Sequence, residues 1–532
     1  MNRRMTRTAW AVALLNAAGC ASQRSPLPPD AFVRAPLATP QLAPPPPAAE
    51  LPAPPVVAAR PATEPLALRD VLTSVGEHFP LLYAVEQERA IAAGQRLSAE
   101  GQFDAVLRAR GSEQAGTFSN GRVDVGVEQP LTDGGITTFA GWRLGGGNFP
   151  IYYGDRKTAD GGEFRAGVTV PLLQNRDTDP RRARLRAAQI QEQLAEPTVR
   201  RARLDFVRSA GQNYWAWQAA GAQYRVAAEL ADLASRRQEV VDVRQKGGLI
   251  SASAPALNRR LIASRQEAKL AAERQVQQAA LRLSLFLRGP TGDPIVPPAD
   301  TLIADFLALE PPAPDPTQLQ ADVTNALDRR PELARFQLEK ERRSVELKLA
   351  TNQELPTLNL FAGVSQDAGF AKKTLTGDGP FTTDRTAAEA GASFEVPLPR
   401  RDARGRVRTA QAQLAQLLAQ ERFARDEIVT QVQDAVSELT LTYARLGRSR
   451  DEQREANNVL AIETAIFDKQ QTSLFELNLQ EIAAAEAKVR VVAALGQYLA
   501  AVANYLAVLG LDATAPGVGG CVLPRTEPAK PR

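Results

Sequence analysis

Cys20 is the residue whose surroundings point to a defined chemical modification. Three arginines within the first seven residues precede a short apolar run, Ala9–Leu15, and three small residues lie directly before the cysteine. The run is too short to cross a bilayer and is typical of a cleaved export signal. The arrangement resembles a bacterial lipobox, in which the thiol is acylated after cleavage. The sequence therefore predicts a signal peptide over residues 1–19 and lipidation of Cys20, with an ordinary signal peptide and an incidental cysteine as the alternative.

Other residues of catalytic or metal-binding type are few. The 532-residue chain has one histidine, His78, and two cysteines, Cys20 and Cys521. One histidine excludes a two-histidine zinc site and leaves little room for a histidine-based catalytic relay. Two cysteines so far apart suggest neither a four-cysteine metal site nor a disulfide scaffold. We therefore expect no enzyme activity, no metal and no cofactor, with His78 in a packing or surface role and Cys521 as an unpaired tail residue.

The charge balance argues against a nucleic-acid partner. Lys and Arg total 64 against 60 acidic residues, and removal of residues 1–19 takes away three arginines and no acid. A nucleic-acid binder needs a concentrated basic surface that neutralises phosphates. The mature chain is nearly neutral, and we expect it not to bind nucleic acid.

Residues 20–65 form a proline-rich segment. Fourteen of the 38 prolines lie between Pro26 and Pro65. This composition favours polyproline-type extension, and about 40 residues at about 3.1 Å each reach on the order of 120 Å. We expect a tether between a lipid anchor and a folded body. In lipoproteins of this kind an aspartate after the cysteine marks inner-membrane retention, so Ala21 favours the outer membrane.

The rest of the chain contains a twofold internal repeat. The phrases Val-Thr-Val-Pro-Leu-Leu and Phe-Glu-Val-Pro-Leu-Pro place Pro171 and Pro397 at equivalent positions, and each phrase is followed by clustered arginines and a long helical pattern. Internal repetition decides how such a chain is divided. We predict a first repeat over 66–290, an equatorial linker over 291–320, a second repeat over 321–511 and a C-terminal tail over 512–532.

Segments that alternate apolar and polar residues lead into these phrases. We predict that strand Phe103–Arg110 pairs with Glu163–Val170 in the first repeat, and Thr357–Ser365 with Ala388–Val396 in the second. About ten residues of such alternation indicate a transmembrane β-strand, and a half-solvated strand of a soluble sheet is the alternative. Because four such segments occur in a repeat, we favour the interpretation as transmembrane strands over that as strands of a soluble sheet. An additional hairpin over 122–144 has no position fixed by the sequence, an extracellular loop being one candidate.

The helical patterns are unusually long. Thr178–Lys246 and Asp402–Gln470 each span 69 residues, which corresponds to about 100 Å of α-helix. Two shorter helices, 66–100 and 251–287, together match one such rod. The uncharged segment Val491–Leu511 continues a helical pattern and is interpreted as a buried helix end rather than a bilayer span.

Together, the duplication, the Val-Pro-Leu strand ends and the helix lengths resemble the outer-membrane efflux protein (TolC-like) family, lipid-anchored type, over roughly Leu66 to Leu511. The resemblance implies a mostly α fold with transmembrane β-strands. In a homotrimer, these strands form one barrel and the helices form a long hollow tunnel. It further implies an outer-membrane channel of a tripartite efflux or secretion system, which exports passively with a periplasmic adaptor and an inner-membrane transporter.

The resemblance also implies site residues at the two helical turns. Gly248 and Leu249 correspond to the glycine-hydrophobic turn that meets the adaptor, and Thr472 and Ser473 lie at the second turn, where Gln471 replaces a frequent glycine. Family members often place acids just past the second turn. The aligned positions here are not acidic, and we expect the adjacent Glu476, or else Glu481, to charge the entrance. A solvated helix carboxylate is the alternative.

A lipid-anchored periplasmic coiled-coil adaptor or scaffold is the competing hypothesis. An adaptor would also have long helices and an anchor, but it should carry a single helical hairpin between lipoyl-like and barrel domains. This chain has two equivalent hairpins, each preceded by alternating strands. The sequence therefore favours the channel.

Overall fold

A computed structural model describes residues 64–149, 157–159, 161–368, 386–469 and 471–514. Cys20, the tether up to residue 63 and Cys521 lie outside the described residues. The described chain is mostly helical, with one antiparallel β-sheet.

The chain enters through two helices that separate at a proline. Helix α1 (Leu68–His78) ends before Phe79, and α2 (Pro80–Glu100) begins directly after it. Phe79 has φ −80° and ψ 115°, because the residue before a proline avoids the helical region. The single helix predicted over 66–100 is therefore wrong at this position.

One very long helix and a shorter returning helix follow the strands of the first half. Helix α3 (Pro180–Lys246) has 67 residues, and α4 (Ala254–Leu283) returns beside it. Asp179 caps α3 by accepting the backbone N–H groups of Arg181 and Arg182, which satisfies two donors that the first helical turn leaves open.

The second half repeats this order of helices. Two short helices, α5 (Leu319–Arg329) and α6 (Pro331–Asn352), lead to the strands. Helix α7 (Arg401–Asp468) then runs for 68 residues, and α8 (Leu474–Val508) returns beside it. The predicted lengths of 69 residues for the long helices are confirmed to within two residues.

Six strands form the sheet in the order β1–β2–β3–β4–β5–β6. They are β1 (Val106–Gln114), β2 (Asn120–Pro130), β3 (Thr137–Gly147), β4 (Glu163–Pro171), β5 (Thr357–Asp367) and β6 (Thr386–Glu395). The pairing of β4 with β5 joins the two halves of the chain in one sheet. The predicted pairing of 103–110 with 163–170 is wrong, because β2 and β3 lie between these strands.

The turn between β2 and β3 lies at the helical end of the sheet. The pairs Pro130–Thr137 and Thr137–Thr169 place this turn level with the end of β4. Gly135 has φ +67°, and a Cβ there would come within 2.2 Å of the Asn175 carbonyl oxygen, in the loop that leads to α3. The hairpin therefore extends along the sheet and is not part of an outer loop.

The two faces of the sheet differ in polarity across all six strands. One register row on the first face consists of small or apolar residues: Leu107, Val127, Ala140, Ala166, Val364 and Ala388. A row on the opposite face is charged: Arg110, Asp124, Arg143, Glu163 and Asp367. Because side chains alternate along a strand, the apolar and polar residues of each strand separate in this way.

The helices lie side by side in four columns. Helices α2 and α4 pack along one side of α3, α6 and α8 pack along its other side, and α7 packs against α6 and α8. The largest buried side chains of α3 are Tyr214, Trp215 and Trp217, and they share one cluster with Leu495 and Tyr498 of α8. The two halves therefore share one core.

Helix α8 is the one described helix that is long and apolar enough to cross a membrane. However, 67% of its apolar 18-residue stretch is buried inside the chain. Val492, Leu495 and Leu499 are each 0% exposed. This packing supports its interpretation as a buried helix end.

The segment between α4 and α5 packs against the core through backbone carbonyls. Tyr498 donates its hydroxyl hydrogen to the Pro312 carbonyl (2.7 Å), and Arg225 donates to the carbonyls of Ile303 and Ala304. Burial raises the pKa of Tyr498 to about 12, so it remains a hydrogen-bond donor at neutral pH. The segment is thereby fixed to both α3 and α8.

Candidate functional site

The two helical turns predicted to form the entrance lie together. Val241 of α3, Phe467 of α7 and Leu474 and Leu477 of α8 share a buried cluster, which also includes Ala254 of α4. The Arg244 guanidinium lies 5.0 Å from the centre of the Phe467 ring, a distance suited to a cation–π contact. We use the name helical tip for residues 247–253, 469 and 471–473 together with the helix ends that meet here.

The first turn is a Schellman motif. The N–H of Leu249 donates to the Arg244 carbonyl (2.9 Å), and the N–H of Gly248 donates to the Gln245 carbonyl (3.0 Å). Gly248 has φ +70°, the left-handed conformation that this motif requires and that glycine adopts without strain. Leu249 is 54% exposed. The turn, closed by two backbone hydrogen bonds, therefore presents an exposed leucine to its surroundings.

At the second turn, Ser473 caps α8. Its hydroxyl accepts the backbone N–H of Glu476 (3.2 Å), and Thr472 is half-buried beside it. Ser473 and Glu476 have the spacing of a capping box, which is a sequence signal for the start of a helix. The side chain of Glu476 is half-buried, and Gln480 donates to it at 3.4 Å.

Glu481, one turn further along α8, has a different environment from Glu476. Its carboxylate is 2% exposed and accepts hydrogen bonds from Arg237 of α3 and Arg265 of α4, the latter at 2.8 Å. The Asn478 side-chain oxygen lies 3.4 Å from the same Arg265 guanidinium. The negative charge of Glu481 is enclosed by two buried cations, so this residue supplies no free charge to an entrance.

Arg237, Arg265 and Asn478 are residues of the tip that the sequence did not reveal. Asn478 lies 213 positions from Arg265, and each arginine resembles the many surface arginines of these helices. The one available signal is Glu481 itself, because a carboxylate within an otherwise apolar helical stripe needs a partner.

The polar face of the sheet is a second candidate site. Asp124 accepts from Arg122 (2.6 Å) and lies 3.7 Å from Arg165, while Glu163 is bound by Arg143. Opposite charges therefore alternate across this face. Among the described residues, no group of His, Cys, Asp or Glu side chains is arranged to hold a metal ion.

The second half of the chain matches a known protein family. Residues 323–511 match the family model described as outer membrane efflux protein. The predicted resemblance to that family is confirmed. The match lies in the second half of the chain, and the additional β2–β3 hairpin lies in the first. No curated protein matches the sequence.

Solved outer-membrane proteins have the same fold as this chain. VceC of Vibrio cholerae aligns with a TM-score of 0.58 and 15% identity, over 83% of this chain and 96% of VceC. CmeC of Campylobacter jejuni aligns with a TM-score of 0.57 and 12% identity, over 83% of this chain and 85% of CmeC. The open state of MtrE of Neisseria gonorrhoeae aligns with a TM-score of 0.56 and 14% identity, over 84% of this chain and 89% of MtrE. At these identities the likeness shows a shared fold.

Proposed function

We propose that this chain is the outer-membrane channel of a tripartite efflux or secretion system, and that three copies form a passive conduit from periplasm to exterior. The observation that carries the proposal is the sheet, with an apolar face that continues across six strands. Its charged opposite face is suited to line water.

The edges of the sheet require further copies of the chain. Backbone groups at an open edge find no partner in lipid, so a membrane sheet must close into a barrel. The described strands run in sequence from β1 to β6 without a β1–β6 pair. Strand β1 leads away from the helices and β6 leads back, so β6 of one copy and β1 of the next are suited to antiparallel pairing.

The helical columns support the same closure. Helices α2 and α4 lie below β1, α7 lies below β6, and both outer columns expose large apolar side chains: Leu97, Leu270, Phe423, Leu441 and Ile462. Exposed apolar surface along an extended helix is typical of a protein interface. A second copy would cover the column and the strand edge together. The two halves are proposed to be copies of one ancestral unit.

The helical tip is proposed to face the periplasm and to bind the adaptor. Leu249 and Phe475 are 54% and 63% exposed on rigid turns and helix ends, and Gly248, Thr472 and Ser473 shape the surface around them. Lipidation of Cys20 would hold the chain in the outer membrane through the proline-rich tether.

Glu476 is proposed as the entrance residue, and its replacement by glutamine should reduce cation preference. In a trimer, three carboxylates would lie close together around the axis and attract cations. The measurement is the reversal potential in a planar bilayer under a salt gradient. Glu463→Gln, a charge-equivalent change on α7, is the control. If the ion selectivity of Glu476→Gln is unchanged, Glu476 does not determine the cation preference of the entrance.

The channel assignment is tested by migration of the unheated protein from outer membranes in a denaturing gel. We expect a band at three times the chain mass that collapses to the monomer on boiling, because closed barrels resist the detergent. A monomer found in the inner-membrane or soluble fraction would contradict the proposal. It would favour the lipid-anchored coiled-coil adaptor, the alternative that the sequence left open.

A further inference from the structure

We infer that each chain contributes six membrane strands, so that the trimer closes an eighteen-stranded barrel. Two strands per repeat would give twelve. This inference rests on the proposed trimeric channel and specifies the width of its outlet. The residues responsible are those of the β2–β3 hairpin, 120–147.

The hairpin is part of the sheet along its whole height. Strand β2 pairs with β1 from Val106 to Gln114, and β3 pairs with β4 from Thr137 to Arg143. A hairpin in an outer loop would leave β1 and β4 to pair with each other. Among the described strands, β1 is not hydrogen-bonded to β4, and the hairpin lies between the two in the strand order.

The hairpin also has the polarity of a membrane strand pair. Val123 and Val127 lie on the apolar face, where they are 38% and 39% exposed in the single chain. Residues of its opposite face bind the charges of β4: Asp124 lies 3.7 Å from Arg165, and Arg143 binds Glu163, which is 2% exposed. The hairpin therefore supplies both a lipid-facing surface and neutralising partners for the lumen-facing surface.

Six strands per chain change the size of the barrel. For a spacing of about 4.8 Å and a tilt of about 40°, the barrel radius is about 12 Å for twelve strands and about 18 Å for eighteen. Three copies of the four helical columns place twelve columns in a ring. With about 9–10 Å between neighbouring helix axes, the circumference of this ring is about 110–120 Å. The eighteen-stranded barrel has a circumference of about 113 Å by the same geometry. The outlet then matches the helical tunnel, and bulky solutes that pass the tunnel are not held back at the outer membrane.

The test is cysteine accessibility in isolated outer membranes, in a Cys521→Ser background. Val127→Cys on β2 and Val364→Cys on β5 lie in the same register row of the apolar face. Glu128→Cys and Ser365→Cys are their matched neighbours on the polar face. A membrane-impermeant maleimide should label both polar-face cysteines, and it should label both apolar-face cysteines at least about tenfold more slowly, since lipid excludes it.

The outcomes separate the two proposals. Fast labelling of Val127→Cys with slow labelling of Val364→Cys would place the hairpin outside the membrane and overturn the eighteen-stranded barrel alone. Fast labelling at both positions would overturn the channel itself. As a second measurement, Ala140→Cys/Ala166→Cys should form a disulfide on oxidation, because these two residues are partners in the sheet. Leu107→Cys/Ala166→Cys should not, although the two residues lie in one register row and would be opposite each other if β1 paired directly with β4. The reverse result would show direct β1–β4 pairing and overturn the inference.

Discussion

Replacement of Glu481 with alanine is expected to destabilise the protein by about 3–5 kcal/mol, the usual cost of removing one partner from a buried ion pair. The side chains of Arg237 and Arg265 are only 11% and 5% exposed, and the variant leaves both cations without their shared carboxylate. The measurement is the midpoint of thermal loss of helical circular dichroism in detergent, which should fall clearly below that of the unmodified protein.

Two further variants show whether the buried charges cause this effect. Glu476→Ala, one helical turn away and only half-buried, should melt close to the unmodified protein. The triple variant Arg237→Met/Arg265→Met/Glu481→Leu should recover much of the loss, because well-packed apolar residues can replace a buried ion network. A Glu481→Ala protein that melts normally would show that the network does not hold α3, α4 and α8 together.

Arginine at Val168, on the apolar face of β4, is expected to prevent stable assembly in the membrane. An arginine near the middle of a lipid-facing strand costs about 2–4 kcal/mol, and a trimer carries this cost in each copy. We expect Val168→Arg to yield little heat-modifiable trimer in outer membranes, as measured on unheated gels with matched total expression.

The adjacent residue provides the matched control. Thr169 and Val168 are both half-buried, but Thr169 lies on the polar face of the strand. The variant Thr169→Arg should therefore assemble normally. Trimer yields close to that of the unmodified protein from both variants would mean that the apolar face does not contact lipid. Equal loss from both would indicate a general packing defect in β4.

The elements that could be predicted from the sequence are those whose pattern lies within a single helix or strand. The ends of α3 and α7 followed from helical periodicity, and the faces of β4 and β5 followed from alternation, because each signal lies within one element. The break at Phe79–Pro80 was also readable, since a proline restricts the residue before it. The single helix predicted over 66–100 disregards this restriction and is broken there in the structure.

The position of the hairpin is a different kind of problem. Residues 122–144 showed two strands and a turn, but alternation does not say which strand is the neighbour. Pairing of β3 with β4 depends on long-range contacts such as Arg143 with Glu163 and Gly135 with the loop at Asn175. Strand order is a property of the assembled sheet, and no local pattern specifies it.

The sequence by itself determined the export signal pattern, the scarcity of histidine and cysteine, the long helices and the two-sided strands, because composition and periodicity are local properties. The tertiary structure decided which strands are neighbours and which acid of the tip is enclosed. Glu476 and Glu481 look alike in the sequence, yet only Glu481 meets two arginines from other helices. The physical reason is that burial and charge pairing depend on segments more than 200 residues apart, which meet only when the columns pack.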